Sequence, residues 1–138
     1  MIEKRYEKRV DLSYKIYLSV VKSIDEKEDD ISYVARTLGQ LVYNKFGKVV
    51  VGISENAKNS SKQSLTHDHF NNCQKVGEYL FKNPNLSKEE FADLIIESRK
   101  TIIVTKKENS ELRNFQKFKN YGEGLKAYQE AKIEIHFF

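Results

Sequence analysis

Apolar residues recur at helical spacing through the first part of the chain. Tyr6, Val10, Tyr14, Tyr17, Val21 and Ile24 fall four and three positions apart, which predicts a helix with one apolar–aromatic stripe. That stripe is expected to pack on the next helix; a dimer seam or a partner groove is the other use for it. The acidic run over 25–30 ends the helix as a solvated connection. A second helix is expected from Ser32 to Phe46, with Ile31, Val34, Leu38, Leu41, Val42 and Phe46 inward and Gly47 as its stop. Lys48–Ile53 then reads as a short apolar strand.

The second half alternates strands and helices. Residues 54–62 are polar and read as a loop or a brief helix. Leu65–Phe70 alternates apolar and polar residues as a half-buried strand does, and Val49–Ile53 is expected to support or pair with it. Val76, Tyr79, Leu80 and Phe81 suggest a helix that stops near Asn83-Pro84. Ser87 with Glu90 forms a capping box and opens a helix through Ser98. Thr101–Val104 is a β-branched strand running into a second capping box, Thr105 with Glu108, whose helix would bury Leu112, Phe115 and Phe118. Gly122 and Gly124 break that helix. A weak helix over Leu125–Glu130 and a closing strand over Ile133–Phe137 complete the chain. The expected fold is α+β in a single domain, 1–138. A helical N-terminal part (1–47) precedes short antiparallel strands packed on a helix (48–138), with a helical insertion between the strands.

At 138 residues the chain can bury one core. Its charged fraction of 32% against 39% hydrophobic suits a soluble protein with long solvated helices. No apolar run approaches the ~20 residues that span a bilayer, and Ile2-Glu3-Lys4-Arg5 offers no signal-peptide core, so a cytoplasmic location is expected. Net charge of +4 and a pI near 9.0 are compatible with a nucleic-acid partner. The single cysteine, Cys73, excludes an internal disulfide and a cysteine-cluster zinc site, and reads as a small buried hydrophobe. No zinc-finger spacing, RNA-recognition aromatic signature or glycine-rich phosphate loop is present.

Candidate chemistry gathers at two places. The strand Leu65–Phe70 carries Asp68 and His69 at its far end, and Asn109 falls in the first turn of the helix opened by Thr105. A carboxylate, an imidazole and an amide on three adjoining elements suit a hard divalent cation beside a general base. The segments Thr66-His67-Asp68-His69-Phe70 and Ile102-Ile103-Val104-Thr105-Lys106-Lys107-Glu108-Asn109 resemble the HNH (ββα-metal) endonuclease family, over roughly a third of the chain. The resemblance implies a compact phage-type, metal-dependent DNA endonuclease. Asp68 and Asn109 would hold Mg²⁺ (or Mn²⁺), and His69 would be the general base. The family's middle Asn, which orients the imidazole, would fall near Lys100 or Thr101, and neither is Asn.

His67 lies two positions from His69 on the same strand, so both imidazoles project to one side. It could be a third ligand, a phosphate contact or a surface histidine. Lys100, Lys106, Lys107, Arg113 and Lys117, with Lys119 beside them, cluster on the second strand and its helix and would meet phosphates of double-stranded DNA. A solvated face explains them as well. Thr105 and Glu108 shape the site as caps, and His136 reads as structural. Two other functions remain open: a non-enzymatic nucleic-acid-binding or protein-interaction module, and a metal-independent ribonuclease using His67 and His69. The chain would work as a monomer or homodimer.

Overall fold

Polar side chains set where most of the helices begin. Asp30, Ser54, Asn72, Ser87 and Thr105 each accept a hydrogen bond from a backbone N–H three residues on, satisfying one of the donors that a helix start leaves open. In the computed structural model, which describes residues 2–138, the elements in chain order are α1 (Glu7–Ser23), α2 (Ile31–Gln40), β1 (Val49–Ser54), α3 (Glu55–Lys58), β2 (Leu65–His69), α4 (Cys73–Lys82), α5 (Lys88–Ser98), β3 (Lys100–Thr105), α6 (Lys106–Gln116), α7 (Gly124–Glu130) and β4 (Ile135–Phe137). The fold is α+β, with seven helices and one four-stranded mixed sheet among the described residues. No helix among these residues is long and apolar enough to cross a membrane.

Two compact units share the chain. One holds residues 1–47 and 72–99; the other holds 48–71 and 100–138. The helical insertion α4–α5 belongs with the N-terminal helices rather than with the strands that flank it.

In the helical unit the tyrosine stripe meets α5 through Tyr14 and Tyr17, and its first member, Tyr6, packs on Phe46 beyond the end of α2 with ring centroids 5.6 Å apart. Tyr17 is fully buried and stacks on Phe91 with ring centroids 5.4 Å apart, and Tyr14 meets the same ring at 5.5 Å. The Tyr14 hydroxyl donates to the Leu86 carbonyl at 2.7 Å, so each aromatic body is buried while its polar end finds a partner. Helix α2 packs on α4 through glycines. A Cβ on Gly77 would stand 1.5 Å from the Ala35 carbonyl oxygen, and one on Gly39 2.0 Å from that of Cys73. Helix α2 also stops at Gln40, short of the expected Phe46. The N–H groups of Val42 and Tyr43 both turn to the Gly39 carbonyl, and Asn44 and Gly47 take left-handed conformations that a helix cannot continue through.

In the second unit the strand order is β2-β3-β1-β4. β1 runs parallel to β3, while β2 is antiparallel to β3 and β4 antiparallel to β1. The expected pairing of β1 with β2 is therefore replaced by β3 between them. β3 is the β-branched run Thr101–Val104, suited to a central strand buried on both faces. Ile102 and Val104 pack with Leu112 of α6 and Ala127 and Tyr128 of α7 in one fully buried cluster, flanked by Phe70, Phe115 and Ile135. Phe118, expected in that core, is 75% exposed because α6 ends at Gln116 and the chain turns away.

Gly77→Ala is expected to destabilise the helical unit by about 1–3 kcal/mol or more, since backbone rather than a flexible side chain blocks the added methyl. Urea unfolding followed by far-UV circular dichroism measures this. A stability equal to wild type would show that α2 and α4 can separate without loss.

Candidate nucleic-acid interface

Strand alternation divides the Asp-His-containing segment between two faces of the sheet. Asp68 pairs with Ile102 and shares its face, toward α6 and α7. There its Oδ2 accepts from Gln116 Nε2 at 2.9 Å and from the Tyr128 hydroxyl. Asp68 is only 6% exposed, and burial holds its carboxyl above the usual carboxylate range, opposed by the Tyr128 and Gln116 hydrogen bonds. The Tyr128 hydroxyl is itself pushed far up, by burial first and then by the Asp68 charge, so it remains a donor.

His67 and His69 occupy the other face. His69 pairs with Thr101, and His67 Nδ1 lies 3.4 Å from Thr101 Oγ1. Burial lowers both imidazole pKa values, Lys48 lowers both further, and His67 adds to the effect on His69. Both rings are therefore neutral near pH 7 and able to accept a proton.

Among the described residues no hydrogen bond joins Asn109 to Asp68. The helix residue that reaches Asp68 is Gln116, and Asn109 lies seven residues earlier on the same helix, about 10 Å along its axis. Among the described residues no group of three or more His, Cys, Asp or Glu side chains is gathered as a possible metal site.

What the structure does assemble is the head of α6. Thr105 and Glu108 form the reciprocal capping box, and Glu108 reaches further than a cap. Its Oε1 accepts from Ser54 Oγ at 2.6 Å and from Thr105 N–H at 2.9 Å, and its Oε2 accepts from Asn56 Nδ2 at 3.3 Å. The Ser54 hydroxyl in turn accepts from Ala57 N–H and caps α3. The carboxyl ends of the parallel strands β1 and β3 are thus fastened to each other. A cleft of about 570 Å³ opens beside this junction, between Asn56, Asn59 and Ser60 on one side and Thr105, Lys106 and Lys107 on the other.

The expected basic residues sort by place. Lys106, Lys107, Arg113 and Lys117 are exposed on α6, whereas Lys100 is half-buried at the start of β3. Lys106, Lys107 and Arg113 make no ion pair among the described residues, while Lys119 pairs with Glu130 at 2.6 Å. Lys117 lies over the Phe118 ring, 5.0 Å from its centroid. His136 pairs with Glu55, in keeping with a structural role. Cys73 is half-buried, and burial raises its thiol pKa, which disfavours a reactive thiolate.

Sequence reasoning missed Ser54, Asn56, Gln116 and Tyr128. A signal existed for the first two. Ile53-Ser54-Glu55 and Val104-Thr105-Lys106 both pass from an apolar strand through a hydroxyl cap into a helix, which marks β1 and β3 as equivalent elements. Gln116 and Tyr128 carry no comparable pattern, because only tertiary packing brings them to Asp68. A scan against protein-family models found no match, and neither did searches of curated proteins and of solved structures.

Tyr128→Phe is expected to cost about 1–3 kcal/mol by leaving a buried acceptor with one donor fewer. It also raises the Asp68 pKa further, because the lost bond favours the ionised form. A native pKa above the ordinary 3.8 gives stability that is full below that pH and is lost as pH rises through the native value. Thermal unfolding from acid to neutral pH should therefore extend the decline to higher pH in the variant, and Asp68→Asn should remove this decline. Identical pH profiles for all three proteins would contradict the assignment.

Proposed function

We propose that this chain binds nucleic acid through its phosphate backbone, with α6 as the contacting helix. The observation that carries this reading is the placement of its cations. Lys106, Arg113 and Lys117, at positions i, i+7 and i+11, fall on one stripe of the helix, and all are exposed. The stripe spans about 16 Å, enough to follow several successive phosphates of a strand. Lys107 flanks it at the head of the helix. The opposite face of α6, with Glu108 and Leu112, is buried, so the charged side is presented to solvent.

DNA is the partner that the HNH resemblance indicates, and the order of strand, antiparallel strand and helix in β2, β3 and α6 supports that resemblance. Phosphate contacts position a nucleic acid without reading its bases. Binding of this kind carries no strong sequence preference.

Fluorescence anisotropy with a labelled oligonucleotide at several salt concentrations tests this. Each phosphate contact contributes about 0.7–0.9 to the slope of log affinity against log salt. Replacing Lys106, Arg113 and Lys117 together by Ala is expected to weaken binding and to reduce the slope by about 2–3. An unchanged slope would remove α6 from the interface.

A second reading, phosphodiester cleavage, is favoured by one observation: His67 and His69 share a face, both neutral near pH 7. Here His69 takes a proton as general base, and His69→Ala is expected to slow cleavage by about 10²–10⁴-fold. In this reading the two imidazoles act without a metal, so cleavage is expected to persist in EDTA. Loss of cleavage in EDTA with recovery on adding Mg²⁺ would overturn it in favour of a metal-dependent reaction.

A further inference from the structure

The cleft at the head of α6 has a chemical character that backbone contact along the helix does not explain. Asn56, Asn59 and Ser60 come from α3 and the turn after it, while Thr105, Lys106 and Lys107 come from the junction of β3 and α6. The cleft lies beyond the carboxyl ends of the two adjacent parallel strands β1 and β3, beside the starts of α3 and α6. Its volume of about 570 Å³ is within the range of small-molecule sites.

The two lysines stand against local helix electrostatics. The first turn of a helix carries partial positive charge, so cations there are disfavoured and acids are preferred. Lys106 and Lys107 nonetheless occupy the first two positions of α6, exposed and without an ion-pair partner among the described residues. A broken local rule with no structural return marks a place held for function. No aromatic or aliphatic side chain lines the cleft, so a base has no platform to stack on. Amides and hydroxyls suit a sugar, and paired ammonium groups suit a dianion. The Glu108 carboxylate is occupied by Ser54, Thr105 and Asn56. Glu111 is an exposed rim carboxylate, able to accept from a sugar hydroxyl.

We propose that this cleft binds a phosphate monoester carried on a sugar, either the terminal phosphate of a nucleic-acid strand or a free nucleoside monophosphate. A monoester carries about −1.5 to −2 charge at neutral pH, more than an internal diester, which matches two lysines rather than one. As the end of a strand, the ligand rests on the binding reading above; as a free nucleotide it does not. The base remains outside, so no base preference is expected.

The test uses the full chain and strands of one sequence ending in a 5′-phosphate, a 3′-phosphate or only hydroxyls, with adenosine monophosphate and inorganic phosphate titrated separately. A phosphorylated end is expected to bind about tenfold tighter than the hydroxyl end. Lys106→Glu with Lys107→Glu should abolish that preference while leaving the melting temperature unchanged or raised, since acids suit the first turn. Arg113→Ala with Lys117→Ala should weaken every strand alike and keep the preference. Saturable binding of the monophosphate without discrimination between strand ends assigns the cleft to the free nucleotide. Saturation by the monophosphate with no strand binding at all sustains the cleft and sinks the strand-binding reading. Equal affinity for all ends with no saturable response to the monophosphate overturns the proposal. An equal response to inorganic phosphate and monophosphate overturns its sugar contact.

Discussion

The second unit depends on one buried carboxylate. Glu108 is 4% exposed and has no cationic partner among the described residues, yet it is satisfied by a hydroxyl, a backbone N–H and a side-chain amide. A carboxylate taken out of water is tolerated only when hydrogen bonds replace its hydration. Here those bonds come from two parallel strand ends at once, Ser54 closing β1 and Thr105 closing β3. The same residue completes the capping box, so one side chain fixes the spacing of the strands and the start of α6. Loss of its carboxylate would strand three donors, each costing about 1–3 kcal/mol if left unmet.

From that anchor the surface of α6 follows. With Glu108 and Leu112 turned inward, helical periodicity leaves Lys106, Arg113 and Lys117 outward on a single stripe. The cleft exists because α3 and α6 begin from strand ends held side by side. Far along β2 a second buried acid plays a similar part. Asp68 joins the strand to Gln116 and Tyr128, tying both helices to the sheet edge. Its environment is that of a structural group, while the two histidines face away from it.

Much of the fold was legible in the hydrophobic pattern. Amphipathic stripes and capping residues marked the helices, and the β-branched run at Thr101–Val104 marked a strand. Pairing was less legible, since nothing in β1 alone says that it lies parallel to β3 rather than beside β2. The division into two units was also hidden. Within the helical unit α2 and α4 meet through Gly39 and Gly77, and a glycine in a helix is silent about what it touches. At the site, the sequence marked the α6 lysines correctly as an exposed group. It also placed Asp68, His69 and Asn109 on adjoining elements, but adjacency is not convergence. A strand's period of two sends Asp68 and His69 to opposite faces, and the rise of α6 separates Asn109 by about two turns from Gln116, the residue bonded to Asp68. Gln116, which does arrive there, is distinguished only by its position.

The central claim is that the frame built on Glu108 presents the head and outer stripe of α6 to a phosphate-bearing partner. Backbone amide shifts of the ¹⁵N-labelled chain, followed while an oligonucleotide is added, test it most directly. The account predicts perturbations concentrated over Lys106–Lys117 and over Asn56–Ser60, with Asp68 and Tyr128 unmoved. Perturbations confined to the helical unit, or centred on Asp68, would contradict it.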